Sequence, residues 1–259
     1  MTVGVATADL RRRAAKPGAA VLGTALILVT WEFVGRLGVF GKGWPAMTEV
    51  LGFLSDPHAS ATVWRSLSNT AWAALIGFAW GSGLAIAAAL VGVLVRPLRA
   101  GLEWMLTAVQ AVPIIAYAPV LVVVAGRQRS PAVAAAIIVF YPVWVAVASG
   151  LLQAPHAYAD LAIGFGSNRS RGLRWIFLPH AIPAVLDGLR LAASAAVIGA
   201  VIGEWFGAER GLGVVIISST LNNQIVQLWG TAAVSSALSF LAYGLVTALH
   251  RVVLARRAL

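Results

Sequence analysis

Six long apolar runs divide the chain, at residues 19–38, 67–94, 103–125, 131–152, 181–206 and 228–250. Each reaches the roughly twenty residues that a helix needs to cross the hydrocarbon layer of a bilayer. In lipid every backbone N–H and C=O must be satisfied within the protein, which leaves helices or a closed barrel. None of the runs alternates apolar and polar residues with the period of two that barrel strands show. The pattern predicts an all-α membrane protein with six transmembrane helices. Composition agrees: 60% of residues are hydrophobic and 11% charged, where soluble domains carry about 25% charge.

The net charge of +10 would point to nucleic acid in a soluble protein. Here the basic residues lie between the apolar runs rather than on one stripe. They read as topology signals, and no nucleic-acid partner is expected. Lys and Arg concentrate in cytoplasmic segments. With the N-terminus inside, the inner segments hold Arg11, Arg12, Arg13, Lys16, Arg96, Arg99, Arg169, Arg171, Arg174, Arg190, Arg251, Arg256 and Arg257. The outer segments hold Arg36, Lys42, Arg65, Arg127, Arg129 and Arg210. The balance predicts both termini in the cytoplasm, with residues 1–18 as an N-terminal segment, 19–250 as the membrane domain and 251–259 as a tail. The Arg127/Arg129 pair fits least well, since a re-entrant hairpin of the third and fourth runs would place that loop differently. The basic start followed by an apolar run also resembles a secretory signal. That run contains Trp31-Glu32 and no clear small-x-small site follows it, so it is read as a first helix.

Within the runs a few positions break the apolar monotony. Gly77, Gly81 and Gly83 let the second helix approach its neighbours closely, which is ordinary bundle packing in membranes. Pro113 and Pro119 in the third run each delete a backbone donor and free carbonyls within the bilayer. Broken helices of this kind tend to line transporter cavities, and the competing reading is a plain kink. Gln110, one turn before Pro113, is a candidate polar lining residue. Glu204 near the end of the fifth run is either solvated at the interface or part of a gate or packing contact, and Glu32 faces the same choice. The stretch Gly211 to Val226 holds Ser218, Ser219, Thr220, Asn222, Asn223 and Gln224. It reads as a polar loop, or as a segment that meets a partner or caps a pathway.

The loop at 154–179 is too polar to span and too patterned to be slack. Tyr158, Leu161, Ala162 and Phe165 fall on one helical face, and Gly166 suits a left-handed helix end. Ser167 can cap a second short helix, on which Leu173, Ile176 and Phe177 share a face. Pro179 and Pro183 punctuate the start of the fifth run. A helix–Gly turn–helix with an apolar face and arginines around it can dock into a groove of another protein, or lie on the membrane surface. The residues alone leave both open.

The spacing Asp160-Leu-Ala, three residues, Gly166, nine residues, Ile176-x-Leu178-Pro179 resembles the EAA loop of ABC importer permeases. Two positions depart from that pattern: Asp160 stands for Glu and Leu161 for Ala. The resemblance implies a type I importer permease fold whose loop is a coupling helix, seated in a cleft of a cytoplasmic ATPase subunit. The carry-over covers Asp160, Ala162, Gly166, Ile176, Leu178 and Pro179; Leu161 and Phe165 join them on the same element. Trp31-Glu32, Pro45, Val112-Pro113-Ile-Ile-Ala-Tyr117-Ala-Pro119, Phe140-Tyr-Pro142, Gly203-Glu204 and Gly207-Ala-Glu-Arg-Gly-Leu-Gly213 are similar to the nitrate/sulfonate/taurine permease group, which also carries thiamine precursors. The Gly126–Pro131 loop departs from that group. A translocation pathway is expected at Gln110, Pro113, Tyr117, Pro119 and Glu204.

No Gly-x-x-x-x-Gly-Lys-Ser/Thr phosphate loop, nucleophile elbow or His-Glu-x-x-His occurs in the sequence. The four histidines are scattered and there is no cysteine, so no cofactor, metal or enzymatic chemistry is expected. The resemblance implies two cytoplasmic ATP-binding subunits, a second copy of the permease as homodimer partner, an extracytoplasmic solute-binding protein and the surrounding lipid. The rivals are a stand-alone secondary transporter or channel, and a membrane-embedded enzyme or scaffold. The first calls for paired intramembrane charges and matching broken repeats, the second for a convergent catalytic cluster. Neither stands out in the sequence.

Overall fold

The computed structural model describes residues 21–152 and 169–256, and among these every regular element is helical. They divide into two compact units.

The first unit takes the chain up to Ala61 together with Ser219–Gly230. Helix α1 covers residues 21–36. A turn follows in which Gly38 and Gly41 adopt φ of 62° and 63°, a region that glycine enters without steric cost. A single 3-10 turn at Gly41–Gly43 leads to α2, Met47–Ser55. The N-cap of α2 is Ala46, which has no side-chain oxygen to offer. Glu32 of α1 supplies one instead, accepting from Thr48 N at 3.0 Å and Thr48 Oγ1 at 2.8 Å, while Arg36 donates to the same carboxylate. Beside it Trp31, Trp44 and Trp229 form a triangle with ring centroids 4.7–5.6 Å apart. Trp31 Nε1 donates to Pro45 O and Trp229 Nε1 to Gly43 O.

The second unit takes Thr62–Ser218 and the chain from Thr231 onward. Its elements are α3 (Ala61–Leu94), α4 (Arg96–Ala111), α5 (Ile114–Ala125), α6 (Ser130–Leu152), α7 (Leu178–Trp205), α8 (Leu212–Leu221) and α9 (Ile225–Ala255); α3, α8 and α9 each also lend residues to the first unit. A short α turn, Arg169–Gly172, and a π-helical stretch, Leu173–Phe177, run without a break into α7.

Glycines dominate the packing, because without a hydrophobic drive between helices in lipid, backbone approach supplies the contact. A Cβ on Gly199 would lie 2.6 Å from Ala135 Cα, one on Gly203 2.7 Å from Pro131 Cα, and one on Gly150 2.9 Å from Ala184 Cβ. So α6 and α7 touch from end to end. Gly77 and Gly81 of α3 sit against Ala135 and Ala136 of α6. Gly83, by contrast, has open space beside it. The buried core between these helices is built of Ala85, Ala89, Val139, Val143, Val147, Leu151, Ala192, Ala196 and Ala200.

Among the described residues four helices, α3, α6, α7 and α9, are long and apolar enough to cross a membrane. The third apolar run, 103–125, is not one helix: α4 and α5 meet at 97°. Pro113 has no N–H to continue the ladder and disfavours helical backbone at the residue before it. Val112 is accordingly extended, with ψ 125°. Pro119 sits inside α5 without breaking it. A second difference concerns residues 211–226, where polar side chains hide the apolar helix α8. A third concerns Leu173 and Phe177. Leu173 is buried in the core of the second unit and Phe177 packs against it, so this face is used within the chain rather than left for docking. Asp160, Leu161, Ala162, Phe165 and Gly166 lie outside the described residues.

Candidate functional site

The best-defined polar site gathers where α3 begins, α7 ends and α8 begins. Glu204, on the last turn of α7, is only 2% exposed. Thr70 Oγ1 donates to its carboxylate, with 2.8 and 3.0 Å to the two oxygens, and Gly213 N donates at 2.7 Å. Thr70 Oγ1 in turn accepts from Leu212 N at 2.8 Å. The first N–H groups of a helix have no partner within it, and here the first turn of α8 finds one in a carboxylate, the charge that its dipole favours. Gly211 has φ 136°, and a Cβ there would collide with the Glu204 carboxyl group; one on Gly213 would collide with Val201 O. The glycines of Gly207-Ala-Glu-Arg-Gly-Leu-Gly213 thus let this backbone fold over Glu204. A packing role is what the geometry gives Glu204, rather than solvation at an interface. Nothing in the sequence pattern singles out Thr70 as its partner; a threonine in an apolar run 134 positions away has no periodic signal.

Next to this node opens a cavity of about 720 Å³, with Ser68, Asn69, Trp72, Arg127, Glu209 and Arg210 on its walls alongside Glu204. Arg127 Nε donates to Gly207 O at 2.6 Å, so the α5–α6 loop and the α7–α8 loop sit at the same end of the bundle.

Helix α4 of the broken pair borders a second cavity, of about 350 Å³, between α3, α4 and α6. Gln110 lines it among Leu84, Met105, Leu106, Val109 and Phe140. Tyr117 Oη reaches back across the break to Val109 O at 3.3 Å, and Pro113 and Pro119 are exposed. Glu204 does not join this group; it lies with the first cavity.

At the opposite end, Ile176 falls in the π-helical stretch, and Leu178 and Pro179 open α7 half-buried. Further along α7, Asp187 Oδ1 meets Arg190 Nη2 at 3.1 Å and His250 Nδ1 of α9 at 3.8 Å. This cluster was not anticipated. Its one sequence signal is an acid three positions before an arginine inside an apolar run, the spacing at which helical side chains meet. Among the described residues no group of three or more His, Cys, Asp or Glu is placed to hold a metal.

A bundle of membrane-length helices with one span broken at proline can be compared with known proteins. A family model described as binding-protein-dependent transport system inner membrane component matches residues 81–258. The chain belongs to this family. As such a component it is the permease subunit of an ABC importer, an all-helical multi-pass protein of the bacterial inner membrane. It is similar to a probable ABC transporter permease protein of Haemophilus influenzae, at 32% identity over 219 residues, covering 84% of this chain and 89% of that protein. It is also similar to the formylaminopyrimidine transport permease protein of Halalkalibacterium halodurans, at 30% identity over 191 residues, 73% and 75% of the two chains. The taurine transport system permease protein of Escherichia coli matches at 26% over 206 residues, 76% and 75% of the two chains. Among solved structures, the inward-facing MetNI methionine ABC transporter superposes with TM-score 0.66 at 18% identity, covering 77% of this chain and 99% of that one. At that identity the likeness shows the type I importer permease fold.

Proposed function

We propose that this permease forms, as a homodimer, the solute path of an importer driven by two cytoplasmic ATP-binding subunits that grip the 154–179 loop. An extracytoplasmic binding protein delivers the solute at the end of the bundle that holds Glu204. Both termini, residues 1–18 and 251–259, are then cytoplasmic, and residues 19–250 make the membrane domain. The solute class is a sulfonate or nitrate anion, a taurine-like zwitterion, or a thiamine-precursor-like heterocycle. ATP hydrolysis belongs to the partners, since the chain has no phosphate loop.

The observation that carries the reading is the unbroken helical backbone from Arg169 to Trp205, packed against α6 through glycines along its length. A push at the coupling end is transmitted by such a rod instead of being absorbed, which a slack loop cannot do. In this reading Asp160, Leu161, Ala162, Phe165, Gly166, Ile176, Leu178 and Pro179 carry the push, and the broken α4–α5 pair with Gln110, Pro113, Tyr117 and Pro119 lines the path. Glu204 holds the far end in register beside it.

Gly166→Pro tests the coupling role. The variant should insert and assemble yet lose solute-stimulated ATP hydrolysis. Normal stimulation in it would overturn the assignment of the loop, and failure of the chain to copurify with an ATPase would overturn the importer reading as a whole.

A further inference from the structure

Helix α7 is the most enclosed of the membrane-length helices: half of its most apolar window is buried, against a third for α3 and α6 and 6% for α9. What remains exposed on it is one narrow stripe, His180, Pro183, Asp187, Leu191 and Ile198, with Ser194 partly exposed on the same face. Intervals of three, four and seven residues keep these positions on one side of a helix.

The one carboxylate of the stripe is Asp187; its other polar side chains are His180, in the first turn of α7, and Ser194. Asp187 is 53% exposed, whereas the groups behind it are more enclosed, Arg190 at 29% and His250 at 13%. Arg190 also lies over the Tyr243 ring, 5.5 Å from its centroid. Arg190 Nε and His250 Nε2 are buried and make no hydrogen bond among the described residues. What this network presents outward is therefore the carboxylate. Asp187 stands nine residues from the start of α7, about 13 Å along a helix about 42 Å long. Centred on a hydrocarbon layer about 30 Å thick, that helix carries Asp187 inside the layer.

Charged side chains at such depths face the bundle interior or a water-filled cavity, not lipid. The contrast with α9 sharpens the point, because its large exposed side chains Phe240, Leu241, Leu245, Leu249 and Val252 are apolar and suit acyl chains, with Ser236 and Arg251 its exposed polar positions. The geometry points to the Asp187 stripe of α7 as the wall of an aqueous solute path, in which Asp187 is a positioning station that favours solutes bearing an ammonium or ring-amine group over bare anions. This rests on the chain forming the solute path of an importer, and it narrows that reading: an amine-bearing heterocycle suits the station, a nitrate or alkyl sulfonate does not.

The chain has no cysteine, so single cysteines can be placed on an unmodified background. In membrane vesicles from cells producing the complete transporter, Leu191→Cys and Ile198→Cys should react with water-borne methanethiosulfonate reagents, and Phe240→Cys should not. The trimethylammonium-ethyl reagent should modify Leu191→Cys about fivefold faster than the anionic sulfonatoethyl reagent, after correction for their rates with a free thiol, because the carboxylate a turn away is more exposed than its Arg190 partner and attracts the first and repels the second. Adding Asp187→Asn, which leaves the Arg190 guanidinium without its counter-ion, should bring that ratio to one or below. If both stripe cysteines stay unmodified until the protein is denatured, the stripe faces lipid or a second copy and the inference fails. A ratio that Asp187→Asn leaves unchanged overturns the station. The labelling does not depend on ATP hydrolysis, so a failure of coupling and a failure of this inference give different results.

Discussion

Truncating Glu204 to alanine separates a structural role for this residue from a role in the path. The substitution leaves Gly213 N–H buried without an acceptor, a loss of about 1–3 kcal/mol. It also removes the acceptor of Thr70 and vacates one methylene and a carboxyl group in a site that is 2% exposed, worth about 2 kcal/mol more. A destabilisation of about 4 kcal/mol follows. For a chain of this length each kcal/mol lowers the melting temperature by about 2–4 °C, so the midpoint should fall by about 10 °C. Glu204→Gln keeps the shape but gives up the charge-assisted bonds to Thr70 and Gly213, a smaller loss of about 1–2 kcal/mol. Thr70→Val combined with Glu204→Gln should cost less than the two separately by about 1 kcal/mol, since both act on the same hydrogen bond, one removing it and the other weakening it. The ten tryptophans give a fluorescence signal for thermal unfolding of the purified complex in detergent. If Glu204→Ala melts within about 2 °C of the unaltered protein and yet abolishes transport, the residue acts on the solute and the structural account is wrong.

Three further outcomes are expected. Gly203→Leu drives a side chain into Pro131 and Ala134 and should destabilise by about 3 kcal/mol or prevent accumulation in the membrane; accumulation and melting unchanged from the original would show that α6 and α7 do not meet there. Pro113→Ala restores a backbone donor at the α4–α5 break, so spin labels placed at Trp104 and Val123 should move apart; an unchanged distance would mean that packing, not proline, holds the 97° bend. Trp229→Ala removes one corner of the tryptophan triangle and the bond to Gly43 O, and should cost about 3–5 kcal/mol and expose residues 37–44 to limited proteolysis; continued resistance would count against the triangle as a clamp.

What could be read from the sequence was whatever leaves a one-dimensional trace. Four of the apolar runs became single helices because length and hydropathy alone specify a span. The two prolines of the third run announced a disturbance but not its form: Pro113 turned the chain through 97° while Pro119 stayed within α5. Residues 211–226 read as a loop because the polar side chains at 218–224 outweighed the shorter apolar stretch 212–217. The face of Leu173 and Phe177 looked available because amphipathicity shows that a face will be covered, not by what. Glu204 was visible as an oddity, but its meaning needed Thr70 and the α8 backbone, partners joined to it only by folding. The Asp187–Arg190–His250 cluster was hidden by reading Arg190 as a topology signal alone.

The glycine contacts between α6 and α7 have a consequence for how this machine changes shape. Where two backbones interlock with no side chains between them, sliding or rotation meets hard atoms within a fraction of an ångström, so the pair serves as a single chassis. The bend at Val112–Pro113, where no main-chain ladder connects the two halves, is then where a hinge costs least, and in the proposed importer a push carried by the α6–α7 pair as one body would be taken up there, with α4 and α5 swinging relative to it.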